Sequence, residues 1–215
     1  MSKIELLNED CMDVMARYPD NYFDLACVDP PYGIGESGGA ARTRGKKEAN
    51  HKRKEWDNET PTKEYFRELI RVSKNQIIWG INYFSYNMRP SMGWICWDKK
   101  LDNSDFSDFE LAYSSFNRAA KIFRYSKNGG SRSPAALADL IHPTQKPVKL
   151  YDWLLSNYAK EGDRILDTHL GSGSSAIAAH YGGFDFVGME LDYDYYKAAL
   201  DRFERETAQI DMFQV

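Results

Sequence analysis

Short apolar segments alternate with helical patterns along nearly the whole chain of 215 residues. Apolar runs bounded by turn residues predict strands, and apolar residues three and four positions apart after a capping residue predict helices. This alternation is typical of a mostly parallel sheet with helices on both faces. The sequence therefore predicts one α/β domain over residues 1–215, with a Rossmann-like twisted sheet.

The elements can be assigned one by one. The predicted strands are residues 4–7, 23–28, 76–80, 93–97, 109–116, 119–125, 164–167 and 184–190. The predicted helices are residues 12–18, 60–73, 147–158, 174–181 and 193–206. Because only Asn117 and Arg118 separate strands 109–116 and 119–125, we expect these two to pair as an antiparallel hairpin.

Composition narrows the class of protein. With 42% hydrophobic and 14% aromatic residues, the chain has the make-up of a folded globular protein. No run approaches the roughly 18 apolar residues of a membrane span, and the first residues lack a signal-peptide pattern, so we expect a cytoplasmic protein. Its three cysteines are scattered, which argues against a structural metal site or a disulfide framework and predicts reduced, buried thiols. They are Cys11, Cys27 and Cys96.

The tetrapeptide Asp29-Pro30-Pro31-Tyr32 directly follows predicted strand 23–28. Pro31 favours an extended Pro30, and neither proline has an N–H, so the Pro30 carbonyl lies free beside the Asp29 carboxylate. A nitrogen with two hydrogens, such as the exocyclic amine of a nucleobase, fits between these acceptors, and the Tyr32 ring offers a stacking face. These four residues are the candidate catalytic residues. The alternative is a rigid strand-to-turn junction with an incidental tyrosine.

A basic, glycine-rich segment follows the tetrapeptide, within residues 33–60. Residues 37–56 contain seven cationic and two acidic side chains, a net charge of +5. Because the whole chain has a net charge of −4, the other residues together carry −9. The segment predicts a loop that contacts nucleic-acid phosphates, and a solvated loop without a partner is the alternative. The candidate phosphate-binding residues are Arg42, Arg44, Lys46, Lys47, Lys52, Arg53 and Lys54.

A second motif, Gly171-Ser172-Gly173-Ser174, joins predicted strand 164–167 to the next helix. In such nucleotide-binding loops Gly171 permits a tight turn and Gly173 lets a ligand approach the backbone. Glu190 ends the following strand and can accept hydrogen bonds from ribose hydroxyls. Asp167 suits a ligand with an ammonium group better than a pyrophosphate. S-adenosylmethionine carries both groups and is the expected cofactor, although a dinucleotide-binding fold would share the loop.

The order of these motifs resembles that of the DNA amino-methyltransferases, specifically their circularly permuted β group. The tetrapeptide comes first and the glycine loop last, and residues 78–84 and 142–147 look like further motifs of the family. The resemblance covers nearly the whole chain. It implies the S-adenosylmethionine-dependent methyltransferase fold in permuted form, double-stranded DNA as the substrate, and a homodimer.

The resemblance also implies roles for residues. In the family, the motif at residues 142–147 helps to hold the methionine end of the cofactor, and Asp10 matches an acidic residue that faces the cofactor adenine. The family usually has Asp-Pro-Phe where this chain has Asp167-Thr168-His169, so the role of His169 stays open. The candidate cofactor-binding residues are Asp10, Cys11, Asp29, Thr144, Lys146, Asp167, His169, Gly171, Ser172, Gly173, Ser174, Glu190 and Leu191.

The implied reaction is direct methylation of an exocyclic amine in a flipped-out base, with both amine hydrogens held by Asp29 and the Pro30 carbonyl. Adenine N6 is the expected target, because cytosine N4 enzymes more often carry Ser in place of Asp29. Cytosine N4 methylation and a catalytically silent nucleic-acid-binding module are the alternatives. Protein glutamine methylation is disfavoured, since that family usually has Asn in place of Asp29. A C5-cytosine enzyme would need a cysteine after a proline, which this chain lacks.

Two further segments complete the prediction. The family reads its target sequence with a long insert, and the best candidate here is the short segment 126–141. Sequence reading is therefore expected to be minimal or shared with the basic segment. In the tail, residues 208–215, the stretch from Gln209 to Phe213 is similar to peptides that dock on the bacterial sliding clamp. Packing of Met212 and Phe213 on the protein's own surface is the alternative.

Overall fold

A computed structural model of the protein describes residues 2–34, 57, 59–101, 107–126, 141 and 144–208. Within these ranges, strands form one sheet in the order β1-β8-β7-β2-β3-β5-β4-β6. The strands are β1 (Ile4–Leu7), β2 (Phe23–Val28), β3 (Ser73–Trp79), β4 (Ile95–Asp98), β5 (Phe109–Ser114), β6 (Lys121–Arg124), β7 (Arg164–Asp167) and β8 (Asp185–Met189). The α/β sheet predicted from the alternating pattern is confirmed.

Within the described ranges, four helices lie between strands in the chain and a fifth follows the last strand. They are α1 (Cys11–Met15), α2 (Lys63–Val72), α3 (Val148–Tyr158), α4 (Ser174–Gly182) and α5 (Tyr193–Thr207), and two short 3₁₀ turns, Ile81–Tyr83 and Ser85–Asn87, follow β3. No helix in the described ranges is long and apolar enough to cross a membrane.

Strands β1, β8, β7, β2 and β3 are mutually parallel and form the half of the sheet that carries both sequence motifs. The central pairing joins β2 to β7, with Leu25 opposite Ile165 and Ala26 opposite Leu166. Parallel neighbours end at the same edge of a sheet. The tetrapeptide after β2 and the glycine loop after β7 therefore emerge side by side.

The antiparallel part of the sheet differs from the prediction. Strand β5 pairs antiparallel with β3 and with β4, whereas β6 lies beyond β4 and pairs parallel with it, so the expected hairpin of residues 109–116 and 119–125 is wrong. The reason is burial: Ala112 and Tyr113 of β5 are buried between two strands, while β6 is largely exposed and suits an edge. The antiparallel hairpin is instead formed by β4 and β5.

The two faces of the sheet carry separate hydrophobic cores. Leu25 and Cys27 of β2 belong to one core, and Ala26 and Val28 belong to the other. Successive side chains of a strand point to opposite faces, so a strand that is buried on both faces must be apolar throughout. Of the three free cysteines only Cys27 is buried; Cys11 and Cys96 are partly exposed, which corrects the expectation of three buried thiols.

Several predicted features lie outside the described residues. These are the seven basic residues between positions 42 and 54, most of the target-recognition candidate 126–141, and the tail segment 209–215. Their predicted roles stay predictions.

The start of α2 gives a test of the local structure. The sequence predicts a cap at Thr60, but in the structure the Thr62 hydroxyl accepts a hydrogen bond from the Tyr65 N–H at 3.2 Å. We expect Thr62→Ala to lower the free energy of unfolding by about 1 kcal/mol, because an N-cap is lost. Thr60→Ala is the matched control and should change it by less than about 0.5 kcal/mol. Urea denaturation measures both, and a larger loss at Thr60 would contradict this boundary.

Candidate active site

A cavity of about 1180 Å³ lies where β2, β7 and β8 end, and both sequence motifs line it. Nearly all predicted catalytic and cofactor-binding residues contribute to its wall. They are Asp10, Cys11, Asp29, Pro30, Pro31, Tyr32, Thr144, Lys146, His169, Gly171, Ser172, Ser174, Glu190 and Leu191. Asp167 and Gly173 are not among the lining residues.

The Asp29 carboxylate is held by two of the protein's own donors. The Tyr32 hydroxyl donates to Oδ1 at 2.6 Å, and the Lys146 ammonium donates to Oδ2. Burial raises the pKa of Asp29 above its ordinary value, although the Lys146 charge opposes the shift. Asp29 is therefore a largely desolvated hydrogen-bond acceptor, and its Oδ2 atom is already ion-paired with the Lys146 ammonium.

Lys146 belongs to a cluster of four alternating charges that reaches from Asp29 to Glu110 and Lys99. The Lys146 ammonium lies 3.0 Å from Glu110 Oε2, and the Lys99 ammonium lies 2.7 Å from Glu110 Oε1. Burial would raise the pKa of Glu110, but the two ammonium groups lower it to about 2. Burial likewise disfavours the charged form of Lys146, but the two carboxylates raise its pKa. The formal charges of the two carboxylates and the two ammonium groups cancel.

The Tyr32 ring also contacts another aromatic side chain of the protein. It stacks on Tyr83, with ring centroids 5.2 Å apart and an interplanar angle of 18°. Gly80 lies against the same ring at a φ of +69°, and a Cβ there would meet Tyr32 Cε1 at 2.0 Å. Only glycine is compatible with this approach. Tyr83 is 43% exposed, so it has room to move if a base is to stack on Tyr32.

Asp57 fixes the backbone after the tetrapeptide, although the sequence analysis did not single it out. One carboxylate oxygen accepts hydrogen bonds from the N–H groups of Tyr32, at 2.7 Å, and Gly33, at 3.0 Å. The side chain is buried. The only sequence signal was an acidic residue at the end of a basic segment, which does not reveal a contact 25 residues away.

The glycine loop is tied to the end of β8 by Glu190. Its carboxylate accepts hydrogen bonds from Gly171 N, at 2.9 Å, and Asp192 N, at 3.0 Å, and it also lines the cavity. Gly171 has a φ of +53°, so the turn that presents its N–H favours glycine. Glu190 thus holds the backbone of the glycine loop and is also placed to contact a ligand in the cavity.

Arg202 of α5 supports the same loop from behind and was also missed by the sequence analysis. This buried side chain donates to the Ser172 carbonyl at 3.0 Å and to Ser174 Oγ at 2.9 Å. The Ser174 hydroxyl in turn donates to the Lys146 carbonyl at 2.7 Å. The glycine loop and the Lys146 backbone are therefore held in one network.

Two predicted cofactor-binding residues, Asp167 and Gly173, make contacts within the protein and do not line the cavity. Asp167 is buried, and its oxygens accept hydrogen bonds from Ser175 Oγ, at 2.6 Å, and His169 N, at 3.1 Å, so its carboxylate serves the loop instead of facing an ammonium group. Gly173 has a φ of +76°, and a Cβ there would lie 3.3 Å from the Ala199 carbonyl oxygen of α5. Its positive φ and the close packing of α5 both favour glycine at this position.

His169 forms a neutral part of the cavity wall. Burial lowers its pKa to about 4, so the ring is uncharged near neutral pH. Nδ1 lies 2.9 Å from Thr168 Oγ1, which is bonded in turn to the Tyr65 hydroxyl at 2.7 Å. The Tyr65 and His169 rings meet edge to face, with centroids 5.4 Å apart. His169 therefore presents a flat, uncharged ring, as the family's usual aromatic residue would.

Asp167 gives a pH-dependent test. Burial raises its pKa to about 7, against roughly 4 in an unfolded chain. Its contribution to stability is therefore complete below about pH 4 and is lost as the pH rises through 7. Asp167→Asn removes this loss and retains an acceptor for His169 N. We expect the free energy of unfolding of the variant, minus that of the wild type, to increase between about pH 5 and pH 8 in urea denaturation. A constant or falling difference would contradict the assignment.

Comparison with known proteins agrees with this geometry. The family model described as DNA methylase, covering N6 and N4 enzymes, matches residues 118–201. The chain is 28% identical to the YubD protein of Escherichia coli (strain K12), over 90% of this chain and 87% of that one. It is 24% identical to the type II methyltransferase M2.DpnII of Streptococcus pneumoniae, over 95% of this chain and 91% of that protein.

Solved structures share the fold. The complex of M1.HpyAVI with S-adenosylmethionine superposes with a TM-score of 0.58 at 19% identity, covering 93% of this chain and 99% of that one. The PvuII DNA methyltransferase, a cytosine-N4-specific enzyme, gives a TM-score of 0.62 at 12% identity, covering 97% of this chain and 91% of that one. Both motifs line one cavity, and these similarities show that the chain has the fold of solved DNA methyltransferases and resembles the N6/N4 DNA methylases.

Proposed function

We propose that the protein transfers a methyl group from S-adenosylmethionine to the exocyclic N6 amine of adenine in double-stranded DNA, with the base flipped out of the helix. The observation that supports this most strongly is the partly buried Asp29 carboxylate beside Pro30, in the same cavity as the glycine loop and Glu190. A cofactor bound at the loop and a base bound at Asp29 would therefore lie in the same cavity, as methyl transfer between them requires.

The residues at the loop side of the cavity suit S-adenosylmethionine. Glu190 and Asp10 supply carboxylates that can accept hydrogen bonds from hydroxyl and amino groups, and His169 supplies a flat neutral wall. Thr144 supplies a donor for a carboxylate, while the Lys146 ammonium is held by Asp29 and Glu110 at the wall of the same cavity. When bound, this cofactor supplies an electrophilic methyl group on a positively charged sulfur. The remaining volume lies beside Asp29 and Tyr32, where a base would enter.

Asp29 and the Pro30 carbonyl would each accept one hydrogen of the target amine. The amine lone pair is delocalised into the base, so holding both hydrogens favours the tetrahedral form of the nitrogen that is nucleophilic. After methylation this nitrogen carries a proton in excess. The raised pKa of Asp29 suits its Oδ2 atom to receive that proton. Tyr32 fixes Oδ1 of the same carboxylate and offers its ring to the base.

Cytosine N4 is the second candidate target, and structural similarity to a known enzyme supports it. The fold is similar to that of a cytosine-N4-specific enzyme, with a TM-score of 0.62. Both amines present two hydrogens on one nitrogen, so Asp29 and Pro30 would serve either. We prefer adenine because the tetrapeptide begins with Asp and not Ser.

The partners follow from the same proposal. The seven basic residues from Arg42 to Lys54 would neutralise DNA phosphates, and residues 126–141 would contribute to sequence recognition. The family resemblance supports a homodimer, and the peptide from Gln209 to Phe213 supports docking on a sliding clamp.

Expression in a bacterial host without DNA methylation tests the reaction. Single-molecule sequencing of the host genome should reveal N6-methyladenine in one sequence context. N4-methylcytosine would instead assign the second candidate. A genome without modified bases, in cells that contain folded protein, would contradict both.

Asp29→Ala tests the catalytic assignment. We expect the variant to bind S-adenosylmethionine, measured by calorimetry, but to lose methyl transfer to DNA by roughly 100-fold or more, because an electrostatic contact to the reacting amine is lost. Asp152→Ala, at an exposed position of α3, is the control and should keep full activity. Full activity of Asp29→Ala would remove Asp29 from the mechanism.

Asp57→Ala tests the support of the tetrapeptide. The change leaves the N–H groups of Tyr32 and Gly33 without their acceptor, so we expect a loss of roughly 1–3 kcal/mol in unfolding free energy and reduced methyl transfer. Asp57→Asn keeps an acceptor oxygen and should lose less of both. Equal effects of the two substitutions on stability and activity would contradict the assigned role.

A further inference from the structure

The position that the target amine needs on Asp29 is filled by Lys146. The ammonium group donates to Asp29 Oδ2 and lies 3.2 Å from the Tyr32 hydroxyl. It also lies 5.7 Å from the centre of the Tyr32 ring and 5.5 Å from that of Trp79. An ammonium group and a base amine both present N–H donors, so the two compete for the same carboxylate oxygen.

Lys146 has a second carboxylate within reach. Glu110 Oε2 lies 3.0 Å from the ammonium, while Glu110 Oε1 is held by Lys99 at 2.7 Å. The Lys146 side chain is only 3% exposed, so an ammonium that left Asp29 could not simply enter water. Removing one partner from a buried ion pair is strongly unfavourable unless another takes its place. Glu110 is that partner, because its Oε2 atom already lies 3.0 Å from the ammonium and the two neighbouring ammonium groups lower the pKa of its carboxyl.

We propose that Lys146 occupies the amine position on Asp29 until a base enters, and that Glu110, already ion-paired with Lys146, is the positioning residue that then retains the ammonium. This inference rests on the proposed function, because it presupposes that an amine binds Asp29. Glu110 does not touch the base. It keeps the largely buried ammonium paired when Asp29 is released, so that base entry breaks one of the two ion pairs of Lys146 and leaves the other intact.

The test measures how much the target amine contributes to DNA binding. Two duplexes are compared in the presence of sinefungin, an unreactive analogue of the cofactor: one has adenine at the methylated position found by sequencing, and one has purine, which lacks the amine. Fluorescence anisotropy gives the ratio of their dissociation constants. The wild type should prefer adenine. In Glu110→Gln, displaced Lys146 has lost its second carboxylate, so the preference should fall about 10-fold or more.

Two double variants distinguish loss of the second partner of Lys146 from a change in the net charge of the cluster. Glu110→Gln with Lys146→Gln has no ammonium to displace, so the preference for adenine should return towards the wild-type ratio. Glu110→Gln with Lys99→Gln restores the same charge balance but leaves Lys146 on Asp29, so the preference should stay low. Sinefungin is kept saturating for each variant, so that a changed affinity for it does not enter the ratio.

Two results would overturn the inference. An unchanged preference in Glu110→Gln would mean that the ammonium moves elsewhere, for example to the carboxylate of the cofactor. Equal rescue by both double variants would mean that Glu110 acts only through charge balance. The proposed function has a separate test, since wild-type methylation of DNA is measured first and does not depend on either result.

Discussion

The parallel pairing of β2 with β7 is the constraint on which the site depends. Asp29 and Gly171 are far apart in the chain, and they share a cavity because the strands before them are neighbours and end at the same edge. Apolar residues bury β2 on both faces, which fixes it at the centre of the sheet. A chain with the same two motifs on separated strands would have two half-sites and no common cavity.

The sequence predicted the parts of this arrangement that depend on local pattern. Apolar runs located the parallel strands, and the proline and glycine motifs located their functional ends. The prediction was wrong for β5 and β6, because adjacency in the chain does not decide which strand is an edge. It missed Glu110, Lys99 and Arg202, whose roles arise from contacts between distant segments that have no short-range signal.

The cavity is shaped by contacts that the protein makes with itself. Lys146 occupies the acceptor of Asp29, and Tyr83 covers the ring of Tyr32. The Asp29 carboxylate and the Tyr32 ring, which suggested binding of a base amine, therefore each contact another side chain of the protein. Such contacts remove the cost of leaving a buried carboxylate unpaired. They also mean that a ligand must offer equivalent interactions to displace them, which favours a flat base carrying an amine over smaller molecules.

A crystal structure of the protein with sinefungin and a duplex containing the modified sequence would test this account most directly. We expect a flipped base whose amine nitrogen lies within hydrogen-bond distance of Asp29 and the Pro30 carbonyl, with the Lys146 ammonium retained by Glu110 alone. The cofactor analogue should lie against the glycine loop and Glu190. A base bound elsewhere, or an Asp29 still paired with Lys146 beside a flipped base, would contradict it.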